Sequence, residues 1–327
     1  MKNLNFELLK DLYKVFSPSM EEKKMRRFIK KYIKNNVPDV VVTQDGSGNL
    51  LVTKGEAGSY ACLCAHMDQV QKFHPKDFTC IDDGGVIMGY SPKTRKQCGL
   101  GADDKNGIFI ALTCLEEYDN IKCAFFVGEE IGCVGSSAVD VSFFSDCRFC
   151  VQIDRQGNCD MVTRISWDAI CSEEFVKDSD CGTWGYCESD GLMTDVEALR
   201  RNGVTASCIN LSCGYYEPHT DHEFTVKEDV QKCYEFVCHL IDHCVKGYQY
   251  FGESYGDGER DRFDRGWGYS EADCQFDECC DICIETLEQN PQMTEMEFES
   301  MMKDSYKRLK RKDFVEIFRI SQGYVGL

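Results

Sequence analysis

Several acids and histidines of this sequence sit just after short apolar runs. His66-Met67-Asp68 closes the run Tyr60–Ala65. Asp103-Asp104-Lys105 follows Gly99-Leu100-Gly101-Ala102 and opens an apolar stretch. Glu129-Glu130 follows Ala124–Val127, Asp154 follows Phe149–Ile153, and His219 with His222 follows Ala206–Leu211. Mixed carboxylate and imidazole donors suit zinc or another divalent first-row ion, and one carboxylate can bridge two such ions. The adjacent pair Glu129-Glu130 has its own logic, because neighbouring residues at a strand end point in different directions. One can hold a metal while the other faces the metal's water as general base. A bound ion lowers the pKa of that water from ~15.7 toward ~7, within reach of a carboxylate.

Such clusters act together only if the chain gathers them. They lie 37, 26, 25 and 65 residues apart. In an α/β sheet the strand C-termini line one edge, where ligands bind. The pattern fits that class. Residues 4–16 and 19–35 read as helices, the second opened by a Ser19/Glu22 capping box. Val40–Thr43 and Asn49–Thr53 flank Asp45-Gly46 as a hairpin, and Phe78–Ile81 and Val86–Met88 form another. Tyr60–Ala65, Ala124–Val127, Phe149–Ile153 and Ala206–Leu211 read as strands. Asn106–Glu117, Gly191–Arg201 and Lys227–Lys246 read as helices. Strands alternating with helices predict α/β with a mixed sheet.

Length and composition bound the function. The 327 residues suffice for one large domain with an appendage. Lys+Arg is 37 and Asp+Glu is 56, a net charge of −19. A chain this acidic is a poor partner for nucleic acid or anionic membranes. Its apolar runs are too short to span a bilayer. The N-terminal segment, with Glu7, Lys10 and Asp11, reads as an amphipathic helix and not as a secretory signal. The 22 cysteines are scattered through predicted strands and helices. They read as reduced, small core residues, so the expected location is cytoplasmic.

The predicted division is a catalytic domain over 1–247, a linker or long loop over 248–272, and a helical extension over 273–327. Residues 273–290 and 294–319 carry helical spacing, with a Thr294/Glu297 capping box. Two short helices bury little surface alone, so the extension is expected to dock on the body or on a second chain.

The motifs together resemble the co-catalytic di-metal aminopeptidase clan, nearest peptidase T and the glutamyl and deblocking aminopeptidases. The resemblance rests on Phe16-Ser17-Pro18-Ser19 with Glu21-Glu22, Asp45-Gly46-Ser47-Gly48-Asn49-Leu50, Ala65-His66-Met67-Asp68, Gly101-Ala102-Asp103-Asp104-Lys105 and Glu129-Glu130-Ile131-Gly132. It covers roughly residues 4–246. It implies a three-layer α/β/α fold and two divalent ions, zinc first, with cobalt or manganese as alternatives. His66 and Asp154 would bind the first ion, Asp103 would bridge, and Glu130 and His219 would bind the second. Glu129 resembles the general base and Asp68 the acid that orients a ligand. His222 competes with His219; the family pattern of an acid and Phe a few residues later favours His219. Asp195 resembles a late Thr-Asp step, or simply braces a helix. The chain departs from the family in lacking the inserted lid domain, since only 64 residues separate Asp154 from His219.

The implied function is a metallo-aminopeptidase that hydrolyses the N-terminal bond of short peptides, as a monomer or small homo-oligomer. Two alternatives stay open: an inactive relative that binds peptide or a partner, and an N-deacylase or carboxypeptidase of the same clan. His74, His239 and His243 lack a comparable context, and Arg155 and Tyr215-Tyr216 neighbour the site by position alone.

Overall fold

The computed structural model describes residues 4–166, 168–251, 279, 282–283, 286–287, 290–303, 305–307 and 309–325. The chain divides into two compact units, Met1–Gly252 and Glu253–Leu327.

The first unit is built on a nine-stranded mixed sheet. Its centre is four mutually parallel strands in the order β7 (Ile121–Phe126), β3 (Tyr60–His66), β8 (Cys147–Arg155) and β12 (Ser207–Ser212). On one side the hairpin β1 (Val40–Gln44) and β2 (Leu50–Lys54) pairs antiparallel with β7. On the other, β9 (Asp160–Ile165) adds antiparallel to β12 and carries β10 (Asp168–Ala169) and β11 (Cys187–Gly191). Strands β3 and β7 are buried along their whole length. Sheet strands covered on both faces read as continuous apolar runs.

Successive side chains on these strands serve different cores, as a two-residue period requires. Ala61, Leu63 and Ala65 join one cluster, while Cys62 and Cys64 join the other. The first cluster also holds α1 (Phe6–Tyr13), α2 (Lys23–Asn36), α3 (Ala102–Glu117) and α7 (Lys227–His243) through Leu9, Ile29, Leu112 and Val237. The second is closed by α6 (Asp195–Arg201) through Val196 and Leu199. The result is the expected three-layer α/β/α arrangement.

A second, antiparallel sheet has the order β13 (Tyr215–Tyr216), β14 (Phe224–Val226), β5 (Val86–Ser91), β4 (Thr79–Asp83), with β6 (Lys96–Cys98) on β5. It delivers two functional segments: β6 leads into Gly101–Asp103, and the β13–β14 connection carries His219. Residues between Asp154 and His219 are used by β9–β13, α5 (Glu173–Ser179) and α6, so this interval holds no inserted domain among its described residues.

Several expectations need correction. Ser19 does not cap α2; its hydroxyl donates to Asp68 Oδ2 at 2.8 Å, and the helix starts after Glu22 with no side-chain cap. The segment predicted as helix over 191–201 begins as strand, because β11 runs to Gly191 and α6 starts only at Asp195. Strand β9 and helix α5 are present where the sequence periodicity predicts no element. Residues Tyr248 and Tyr250 bond to the β12 end of the main sheet, through Ser207 N–H to the Tyr248 carbonyl at 2.7 Å and Tyr250 N–H to the Thr205 carbonyl at 2.7 Å. They therefore belong to the body and not to a linker. The rest of the 248–272 expectation lies outside the described residues.

In the second unit the Thr294/Glu297 capping box forms at the start of α8 (Glu295–Met302). The single helix expected over 294–319 is two, since α9 (Arg311–Val325) begins after a break. Cys279, Cys283, Leu287, Phe298, Phe314 and Ile317 are buried in a cluster of their own. The twenty described cysteines are free thiols. No helix of the described residues is long and apolar enough to cross a membrane.

Candidate metal centre

Parallel strands β3, β7 and β8 end side by side, so their C-terminal residues meet at one edge. His66 is the last residue of β3, Asp154 the penultimate residue of β8, and Glu129 and Glu130 stand three and four residues past β7. Asp103 enters from the start of α3, and His219 from the β13–β14 connection with φ of 65°.

The side chains converge. His66 Nε2 lies 2.9 Å from Asp103 Oδ1 and 3.7 Å from Asp154 Oδ1. His219 Nε2 lies 3.3 Å from Asp103 Oδ2 and 3.2 Å from Glu130 Oε2. Two groups of three donors result, His66/Asp103/Asp154 and Asp103/Glu130/His219, each with its donor atoms within 4.8 Å of one another. Asp103 belongs to both. His222 is exposed and its backbone N–H is tied to the Thr220 hydroxyl, outside either group.

The electrostatics ask for added positive charge. Burial pushes Asp154 up to about 7, with the Asp103 charge adding to the shift. Burial also raises Glu129 and Glu130, against the His66 charge. Hydrogen bonds accepted by Asp103 and Glu130 pull His219 up to about 11. Burial opposes protonation of His66, but the Asp154 charge and Asp103 outweigh it and hold its pKa well above the usual range. Protonated imidazoles and carboxylates crowded at hydrogen-bond distance mark a donor set that divalent cations would satisfy better. The buried Glu130 Oε1 has no hydrogen-bond partner, which leaves a carboxylate oxygen for a ligand. The residues present therefore fit divalent-ion binding: each group of three would hold an ion, and Asp103 is common to both.

Supporting residues fix this set. Asp68 is buried; its Oδ1 lies 3.4 Å from His66 Nδ1 and accepts the Glu129 N–H at 3.0 Å, while Oδ2 accepts the Glu130 N–H at 3.3 Å. One carboxylate thus places both the imidazole and the two glutamates. Asp104 is buried and accepts the His66 backbone N–H at 3.1 Å and the Gly107 N–H at 3.0 Å. Gly107 has no room for a Cβ, which would stand 2.4 Å from Asp104 Oδ1. Asp195 is buried and braces α6, accepting from the Ser136 hydroxyl and from Gln152 Nε2.

Glu223 is a positioning residue that sequence reasoning missed, although it belongs to the acid–Phe step used to favour His219. Its carboxylate accepts the Gly101 N–H at 2.6 Å and the Asp103 N–H at 3.1 Å, and so pins the turn that presents Asp103. A glutamine has only one acceptor oxygen for these two buried donors. Glu223→Gln should cost about 1–3 kcal/mol, several degrees of Tm. A thermal melt unchanged within a degree would remove Glu223 from this role.

The donors open on a cleft of about 220 Å³ lined by Glu129, Arg155, Leu192, Met193, Tyr215 and Pro218, among others. Tyr215 donates to Asp154 Oδ1 at 3.2 Å, and Arg155 is already paired with Asp160 at 3.1 Å.

Comparison with known proteins places the architecture. No family model matches the chain. The structure is similar to aminopeptidase PepT from Bacillus cereus, with a TM-score of 0.62 and 16% identity over 75% of this chain and 100% of that one. It is similar to a tripeptidase from Staphylococcus aureus (TM-score 0.60, 16% identity, 74% and 99% coverage). It also resembles a TET aminopeptidase from a marine sediment thaumarchaeote (TM-score 0.57, 14% identity, 72% and 96%). The chain thus has the fold of the PepT and TET aminopeptidases. In sequence, 121 residues are 31% identical to a putative [LysW]-lysine/[LysW]-ornithine hydrolase of Pyrobaculum aerophilum. That match takes in 35% of this chain and about a third, 34%, of the relative.

Proposed function

We propose that the protein is a di-metal exopeptidase, and specifically an aminopeptidase acting on short peptides. The observation that carries this reading is the pair of three-donor groups sharing Asp103, with Glu129 lining the same cleft. His66, Asp103 and Asp154 would hold one ion, and Asp103, Glu130 and His219 the other. When bound, such ions lower the pKa of a water and polarise a carbonyl.

The protein's own groups do the rest. Glu129 accepts the proton of the attacking water and returns it to the leaving amine. Asp68 keeps Glu129, Glu130 and His66 in register through the contacts described above. The single arginine lining the cleft is already paired with Asp160, so no free cation among the lining residues receives a free α-carboxylate, which favours an aminopeptidase over a carboxypeptidase. The likeness in fold to PepT and TET aminopeptidases supports the same choice.

The test is release of free amino acids from unblocked short peptides by the zinc-loaded protein, with N-acetylated peptides as control. Release from blocked peptides alone would move the assignment to a deacylase. No release with two ions bound would favour a binding protein. The histidines give a separate check. His219→Ala should lower the metal-to-protein ratio by one ion, and His222→Ala should leave it unchanged. The opposite result in elemental analysis would exchange their roles.

A further inference from the structure

A cavity of about 660 Å³, three times the volume of the acidic cleft, shares no lining residue with it. Its charged residues are Lys14, Lys24, Arg27, Lys31 and Lys76, and no acid lines it. In a chain with 56 acids against 37 lysines and arginines, five bases and no acid in one cavity is a pronounced local reversal. Lys14 is paired with Asp11 at 2.8 Å. Lys24, Arg27, Lys31 and Lys76 make no ion pair among the described residues.

Helix α2 explains how these charges are held together without counter-charges. Its sequence KKMRRFIKKYIKNN contains seven bases and no acid. Met25, Ile29 and Ile33 face the core. Lys24, Arg27, Phe28 and Lys31 fall at i, i+3, i+4 and i+7, a single stripe along the helix. The energy that fixes the helix is apolar burial on its other side, so mutual repulsion along the stripe is tolerated.

The cavity also has an apolar, aromatic part, made by Val15, Phe16, Phe28, His74, Pro75 and Phe78. Phe16 and His74 stack with centroids 5.4 Å apart and planes 9° apart, and His74 and Phe78 stand 4.1 Å apart. The buried Nε2 of His74 has no hydrogen-bond partner. Burial, aided by the Lys105 and Lys24 charges, lowers the His74 pKa to about 4, so the ring is neutral at working pH.

We propose that this cavity binds a small organic polyanion of the nucleoside-phosphate class, with a planar ring against the aromatic wall and its phosphates among the Lys24, Arg27, Lys31 and Lys76 cations. The unpaired cations call for several negative charges on one ligand, and guanidinium and ammonium groups suit phosphate oxygens. The aromatic wall calls for a flat body, since rings stack on one another irrespective of sequence or substituent. The cavity's volume of about 660 Å³ lies within the range of small-molecule sites, although it opens widely to solvent. The long-range field of a −19 chain repels anions, so affinity must come from this local array and must fall with salt.

The test is calorimetric titration of the full-length protein with Mg·ATP and, separately, with Mg·triphosphate. Mg·ATP should bind one per chain, at least about tenfold more tightly than triphosphate, and more weakly as salt rises from about 50 to 300 mM. The triple variant Lys24→Glu/Arg27→Glu/Lys31→Glu should lose at least about tenfold in affinity for both ligands. Phe28→Ala should weaken Mg·ATP and leave triphosphate unchanged. These charged side chains are exposed, so circular dichroism melts of the triple variant should match the parent. The proposal is overturned by absence of saturable Mg·ATP binding up to about 1 mM, or by undiminished binding to the triple variant. Binding of anionic vesicles or an acidic peptide that Mg·ATP does not displace would also overturn it, by assigning the face to a macromolecule. None of these readouts depends on peptidase activity.

Discussion

Glu129→Gln should lower kcat/KM by about 10²–10⁴, the usual share of general acid–base catalysis, with metal content unchanged. Glutamine keeps the volume and one acceptor oxygen but cannot take a proton. The backbone N–H of residue 129 still donates to Asp68, so the framework around His66 and Glu130 is preserved. Elemental analysis beside steady-state kinetics on an unblocked dipeptide separates the outcomes. Normal turnover would remove Glu129 as base, and loss of both ions would make it a ligand.

Asp103→Ala should have the largest effect, because one side chain serves both donor groups. Both ions should be weakened together, unlike the single loss expected of His219→Ala. Activity should fall by about a thousandfold or more, since several kcal/mol of charge stabilisation disappear and each ~1.4 kcal/mol is a factor of ten. A variant that retains two ions would show that Asp103 does not bridge. One that retains a third of the parent activity would sink the mechanism.

Net charge proved a poor guide to local surface. A balance of −19 suggests that anions are unwelcome, yet helix α2 concentrates seven bases on fourteen residues. Helix α2 was legible in the sequence as the helix expected over 19–35, but a net charge carries no information on how the bases along it are distributed. Repulsion summed over a whole surface and attraction at a cluster act over different distances, the first screened beyond about 10 Å at ordinary salt.

The sequence by itself determined the class of architecture and the residues able to act. The runs at β3, β7, β8 and β12 could be read because buried parallel strands are mostly apolar, although Lys122, Gln152, Ser207, Asn210 and Ser212 are buried within them. The positions of His66, Glu129-Glu130 and Asp154 followed, since a strand's C-terminus is defined by where its apolar run stops. The Thr294/Glu297 cap was legible because a capping box is local. The Ser19/Glu22 pattern looked the same and failed, because Asp68, distant in sequence, took the Ser19 hydroxyl. Strand β9 was invisible because its pairing partners β10, β11 and β12, not its own periodicity, make it a strand. Only the tertiary structure separates His219 from His222, three residues apart, by placing the first beside Asp103 and Glu130 and the second outside both groups. It likewise revealed Glu223 and Asp104 as the acids that hold Asp103 and His66 in place. Those roles depend on hydrogen bonds between segments 122 and 38 residues apart. Local pattern carries no information about which distant backbone donors a buried carboxylate will meet.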